Sequence, residues 1–401
     1  MKNFISKLRT LIAITAFVAL SILSAHADGI DRTKPVQNIL VINAYNEGAP
    51  WSQSFITPLI MEAAKNHEFI IEVEHLNMSY VTNDSLYNNM VEGVLKRYNN
   101  NKPDGIIMIG EASFGLIDTI KSNWGDLPAI LLGNLDKVGT MNYYLTGVQG
   151  DDTDDMLTPL AQLRNKYDLT FIESPFMYKE TIDLIVKMNP QLTKLVFAAD
   201  ALSANRHLSK NISNYLASTY PAISYEWLVA GNDNSGRLLD YIMNHDEKLG
   251  FLFSSWFYPE EDVNGYPQLV SGEYRAIPQA AQPVYALREA YIANGILGGY
   301  FPDHKKIVDT LVSYVHKMNE GTKMHDLPFY YPEYPQDFNY VINYEQLLRD
   351  GYSVSDCPAD TVFVNKPKTL WDSYKWYIIS IILLVAAIAV IIALRSKALR
   401  I

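Results

Sequence analysis

Residues 38–51 read NILVINAYNEGAPW. The first seven are an almost continuous apolar run, the pattern of a strand buried on both faces. A polar and aromatic loop follows, and residues 52–65 then place apolar side chains at helical spacing. Working outward, the same strand-then-helix alternation recurs. Residues 69–76 read as a strand and 85–98 as a helix, with Leu86, Met90, Val94 and Leu95 on one stripe. Residues 105–109 and 129–132 are short apolar strands around a helix at 114–121. Such alternation predicts right-handed βαβ units and a parallel sheet covered on both faces.

A charged stretch at 151–155 separates this block from a second one. Strands are expected at 169–173, 194–199, 224–229 and 251–256, with helices at 178–188, 204–220 and 236–244. The fold class is therefore α/β, with two lobes built on parallel sheets. Lobe I takes residues 34–148, with 282–325 returning to it, and lobe II takes 149–281. Residues 326–370 hold a crossing segment rich in Pro and Tyr, a last strand at 338–342 and a linker.

The two ends read differently. Lys2, Lys7 and Arg9 precede an apolar run, and Ala25-His26-Ala27 forms an A-x-A site, so residues 1–27 are expected to be an export signal. Residues 376–394 carry no charge, and about 1.5 Å of rise per residue makes them long enough for a bilayer core. Trp371, Tyr374, Trp376 and Tyr377 stand at the entry, and Arg395, Lys397 and Arg400 at the exit. By the positive-inside rule the tail 395–401 is cytoplasmic, so the expected location is the inner membrane with the bulk of the chain in the periplasm.

Charge limits the partners. Removing the six basic residues of the two ends leaves 27 basic against 44 acidic, a net charge near -17. Nucleic acid is therefore not an expected partner. Cys357 is the single cysteine, so no intrachain disulfide is expected. No H-E-x-x-H, G-x-S-x-G, P-loop or G-x-G-x-x-G is present, and Asp151, Asp152, Asp154 and Asp155 lack EF-hand spacing. A non-enzyme without metal or cofactor is expected.

In open parallel sheets, ligands sit beyond the carboxyl ends of the strands. The loops there carry Tyr45, Asn46, Trp51 and Ser52 after the first strand, and Glu111 and Ser113 after the third. Asn134, Asp200 with Ser203, Ser254 to Trp256, and Tyr300 occupy the remaining loops. Gly110 permits close backbone approach beside a helix start that can hold an anionic group. Each residue has a structural alternative. Trp51 can staple a helix, Ser52 and Ser113 can cap one, Glu111 can be solvated, Asn134 and Asp200 can close turns, and Trp256 can be core.

With these residues in place, the chain resembles the sensor-type members of the ABC-transporter substrate-binding-protein-like family, which have the type I periplasmic-binding-protein fold. The likeness rests on 38–51, on Thr146-Gly147-Val148 as the crossover, and on 190–199. It rests further on Gly298-Gly299-Tyr300 with Gly321 and Pro328, and on 338–344 and 362–367 (VFVNKP) running into 371–377 (WDSYKWY). That last junction resembles the one before the membrane helix of sensor histidine kinases and diguanylate cyclases. The stretch 149–177 is longer than the usual crossover. The resemblance implies a small-molecule ligand such as an amino acid or sugar, bound between the lobes. It also implies output through a partner kinase or cyclase, or through a homodimer. A tethered component serving an ABC permease is the alternative, and an extracytoplasmic enzyme the third reading.

Overall fold

A computed structural model describes residues 36–146, 156–261, 267–270, 273–368 and 370–398. The expected export signal, the acidic stretch 151–155 and the tail 399–401 lie outside the described residues.

The first sheet contains β1 (Gln37–Asn43), β2 (Phe69–His75), β3 (Gly105–Ile109), β4 (Ala129–Gly133) and β5 (Leu169–Glu173), in the order β2-β1-β3-β4-β5. All pairings are parallel. Successive residues of a strand face opposite sides, so each apolar run serves two cores. Leu40, Ile42, Ile106 and Met108 pack with Val94 of α2 (Asp84–Tyr98) and Ile120 of α3 (Ile117–Trp124). Ile39, Val41, Ile107 and Ile109 pack with Phe55 of α1 (Pro50–Asn66) and Leu311 of α7 (His304–Asn319). Each such side chain, fully buried, contributes about 1.5–3 kcal/mol. Pro50 supports the start of α1, since a first-turn proline loses no hydrogen bond there.

The second sheet contains β6 (Lys194–Ala199), β7 (Ser224–Val229), β8 (Leu249–Phe253), β9 (Val284–Ala286), β10 (Gly298–Pro302), β11 (Phe338–Asn343) and β12 (Val362–Val364). The order is β12-β11-β10-β9-β8-β6-β7, parallel except between β10 and β11. On one face Leu195 and Phe197 pack with Ile182 of α4 (Tyr178–Met188) and Ile212 of α5 (Ser203–Thr219). On the other, Val196 and Ala198 meet Leu238 of α6 (Asn232–Met243). A short helix, α8 (Tyr344–Arg349), follows β11.

The lobe boundaries differ from the expected ones. β5 pairs with β4 from Ala129↔Leu169 to Gly133↔Glu173, so it completes the first sheet and does not open the second. The first crossing therefore lies after Glu173, and not near 146–149. β9 and β10 belong to the second sheet, so the return to the first lobe begins at α7, not at 282. Tyr300 accordingly sits in the second lobe. The reason is that every parallel strand here has the same local pattern, and only strand pairing assigns it to a sheet. The chain crosses a third time after Tyr330, on its way to β11. The crossings are tied together: Glu173 N donates to Tyr330 O at 2.9 Å, and Asp303 N to Asp337 O at 2.6 Å.

α9 spans Leu370–Ala398. Among the described residues no helix is long and apolar enough to cross a membrane. The expected span at 376–394 runs beyond the side chains described in α9, the last of which is Ala389. Most of those that are described stand in the open: Trp376 is 72% exposed, Ile381 61% and Leu383 65%.

Candidate functional site: the cleft between the lobes

Arg288 follows β9 of the second lobe and is buried. Its guanidinium lies 4.2 Å from the Trp51 ring centroid and 3.8 Å from that of Phe176. Trp51 stands in the first turn of α1, and Phe176 in the first crossing. Nη1 donates to Ser174 O at 3.1 Å and Oγ at 3.4 Å, and Nη2 donates to Asn134 Oδ1. One side chain thus reaches from the second lobe onto the first and onto the segment joining them. Burial drives its pKa down to about 10, against the opposing charges of Tyr45 and Glu111. The aromatic faces and acceptors around it replace part of the lost hydration.

Opposite, Asp200 ends β6 and is almost fully buried. Oδ1 accepts from Leu202 N at 3.0 Å and Asn205 Nδ2 at 2.8 Å, whereas Oδ2 has no hydrogen-bond partner among the described residues. Asn205 also donates to Ser255 Oγ at 2.8 Å and accepts from Ser254 Oγ at 2.8 Å. Burial raises the Asp200 pKa, with Ser255, Leu202 and Asn205 acting against it. Asp200 and Asn205 line a cavity of about 40 Å³ with Tyr45, Trp51, Phe257 and Arg288. That space suits a water molecule or two. A metabolite, which needs about 300 Å³ or more, fits only after the lobes part or Arg288 swings away.

Four of the ten expected site residues come together around this cavity or its rim, and a fifth positions them. Tyr45 and Trp51 line it, their ring centroids 5.3 Å apart in an edge-to-face pair. Asn134 holds Arg288. Ser203 lies in an adjoining gap of about 10 Å³ beside Glu111 and Tyr144. Glu111 is buried and not solvated: its Oε1 accepts from the backbone N–H groups of Asn134 and Leu135, the latter at 2.9 Å, and so fixes the loop after β4. Gly110, at φ 85°, holds this turn open, and a Cβ there would come 2.8 Å from Tyr45 Cε2.

The other five divide between loop and core. Asn46 turns its loop, its carbonyl accepting from Ala49 N at 3.2 Å. Ser52 is buried, donates to Ala49 O at 3.2 Å and accepts from Asn43 at 3.1 Å; Ala49, not Ser52, is the N-cap of α1. Ser113 donates to Gly110 O at 2.6 Å. Trp256 is 0% exposed and packs in the second lobe's core, one residue off the cavity-lining Ser255 and Phe257. Tyr300 packs on Phe338, 5.9 Å between centroids, with its N–H on Thr181 Oγ1.

Arg288, Asn205, Ser174, Phe176 and Phe257 escaped the sequence reading. Arg288 obeys the rule that selected the others, since it lies just past a strand's carboxyl end; β9 was assigned to the wrong lobe. Phe257 was hidden by its neighbour Trp256, because alternation in an irregular loop carries no side-chain direction. Among the described residues no group of three or more His, Cys, Asp or Glu is placed to hold a metal ion.

Comparison with protein-family models gives no match, and comparison with curated proteins gives none. Solved structures do match. One is a conserved domain protein of Vibrio cholerae, 12% identical, with a TM-score of 0.53, covering 82% of this chain and 99% of that one. Another is the ABC domain in complex with L-Trp from Streptococcus pneumonia, 12% identical, with a TM-score of 0.52, covering 82% of this chain and 100% of that one. Further matches include an ABC-transporter solute-binding protein of Agrobacterium vitis, at 15% identity and a TM-score of 0.47 over 79% of this chain and 99% of that one. Two doubly covered parallel sheets joined by three crossings, over four-fifths of the chain, give this protein the type I periplasmic-binding-protein fold.

Proposed function

We propose that this protein is an extracytoplasmic receptor that binds a small solute between its lobes and passes hinge closure to a membrane helix. The observation that carries this is the interlobe cavity: a buried carboxylate oxygen of Asp200 has no hydrogen-bond partner among the described residues, and the arginine opposite ties the lobes together. A ligand that takes over those contacts shifts the balance of open and closed states only by its differential affinity for them. Asp200 Oδ2 calls for a donor, either an ammonium or a hydroxyl, and Tyr45, Trp51 and Phe257 supply faces for a ring.

The membrane part of the reading rests on the sequence of the two ends and on the exposed apolar side chains of α9, which are costly to leave in water. In this reading residues 1–27 direct export, 376–394 span the inner membrane, and the crossing that leads to β11 and β12 carries lobe movement to the helix. Sensing through a partner kinase or cyclase is preferred to delivery to a permease because the VFVNKP and WDSYKWY stretches join the second sheet to α9 through one short strand, β12. The protein acts as a binder and not as an enzyme.

The full chain in lipid nanodiscs, screened by thermal shift against amino acids, sugars and nucleosides, tests the reading. A ligand at about 100 times its Kd adds ~2.7 kcal/mol. D200N should abolish that gain. Silence across all three classes, or a gain that survives D200N, would remove the cleft as the binding site. Cysteine cross-linking along α9 with and without the ligand then separates sensing from delivery, since only sensing requires the helix to move.

A further inference from the structure

A second cavity, of about 300 Å³, lies in the second lobe at the amino ends of β6, β8 and β9, the edge opposite the cleft. Its floor is apolar, with Ile185, Met188 and Leu249, and two buried polar residues, Tyr285 and Asp350, line it beside them. Tyr285 is 2% exposed and its hydroxyl has that of Tyr352 beside it; among the described residues Asp350 Oδ2 has no hydrogen-bond partner, on a side chain that is 4% exposed. The second oxygen, Oδ1, accepts from Gln346 Nε2 at 2.8 Å and stands 3.7 Å from Arg349 Nε. The Tyr352 hydroxyl also borders the space, and His245, Asp246 and Glu247 form its rim.

We propose that this cavity binds a small organic amine, its ammonium on Asp350 Oδ2 and the Tyr285 hydroxyl, and its carbon body on the apolar floor. Three carboxylates and no Lys or Arg line the space, which repels anions. A buried acceptor without a donor is costly, and a cationic donor relieves it most. The volume lies at the lower end of the range for ligand sites, ~300 Å³, large enough for a four- to eight-carbon amine. A bare metal ion does not fit the chemistry, because no group of three ligating side chains is assembled here or elsewhere among the described residues. The site stands apart from the cleft, and its existence does not depend on the function proposed for the cleft. Asp350 and Tyr352 lie between α8 and β12, on the stretch that leads to α9. A bound amine therefore fastens that stretch to the base of the second lobe.

Calorimetric titration of the full chain in nanodiscs with n-butylamine, phenethylamine and putrescine tests this, beside n-butanol and 2-phenylethanol as uncharged counterparts. At least one amine should saturate below about 10 mM, the alcohols should not, and D350N should weaken that amine about tenfold or more. Should D350N fail to fold, Y285F carries the test; it removes a single hydroxyl and should still weaken the amine. The proposal is overturned if no amine saturates, if the alcohols bind equally, or if both variants bind as the parent does. Binding lost in D200N and kept in D350N would place the amine in the cleft and overturn it as well.

Discussion

Replacing Arg288 with alanine should open the cleft. In the closed form the guanidinium sits on two rings, at 4.2 and 3.8 Å, a desolvated arrangement that contributes about 2 kcal/mol. It also donates to Ser174 O and Asn134 Oδ1, at roughly 1.5 kcal/mol each for a charged donor. Against this stands the cost of burying the charge: a pKa brought down from 12.5 to about 10 corresponds to ~3 kcal/mol. The remainder, on the order of 2 kcal/mol, favours closure, and losing it changes the closed-to-open ratio about thirtyfold. Alanine leaves Asn134 Oδ1 and Ser174 O without their donor, and opening lets water supply one. The assay is the distance between a dye on α2 and a dye on α5, measured on single molecules of the ligand-free chain. The R288A distribution should move to longer distances, and R288K should fall between, since it keeps the charge and loses the planar fork. An unchanged distribution in R288A would refute the reasoning and reduce Arg288 to ordinary packing.

Three further outcomes are expected. Glu173, at the first crossing, is pushed up to about 7 by burial, with Asp136 and Glu111 adding to it. Its folded pKa exceeds the unfolded value, so its contribution is complete below about pH 4.5 and is lost as pH rises towards 7. Thermal denaturation should show E173Q flattening the fall in stability across that window, whereas the half-buried histidines His75 and His304, whose pKa values are lowered by desolvation, act in the opposite sense and should be unaffected. E111A should cost about 2–3 kcal/mol in urea denaturation, because two buried backbone N–H groups lose their acceptor. G110A should cost about 1–2 kcal/mol, and should also weaken any cleft ligand by displacing Tyr45; a variant with parental stability and binding would show that the turn relaxes freely.

Most elements were legible because strand and helix periodicities are local. The strand expected at 38–44 and the helix expected at 85–98 need only neighbours in sequence, and they stand at Gln37–Asn43 and Asp84–Tyr98; of the helix stripe Met90, Val94 and Leu95 pack on the core, whereas Leu86 is exposed. The site was legible as a set of loops. Tyr45, Trp51 and Asn134 stand at or beside the cavity because a parallel sheet exposes the loops at its strands' carboxyl ends. The same rule selected Ser52, Ser113 and Trp256, which do not line that cavity, since a loop's location does not say which of its side chains turns inward. Arg288 was missed for a related reason: its partners Trp51 and Asn134 lie over 150 residues away.

The amino-acid sequence alone determined that this chain forms α/β lobes, that its two ends differ in kind from its middle, and that its balance of charge is acidic. Those properties are sums over residues or short-range periodicities. Only the tertiary structure decided that β5 closes the first sheet, that β9 and β10 belong to the second, and that Arg288 bridges them. Interchangeable apolar strands find their places through pairing and side-chain fit between distant segments, and a local pattern holds no record of which partner is chosen.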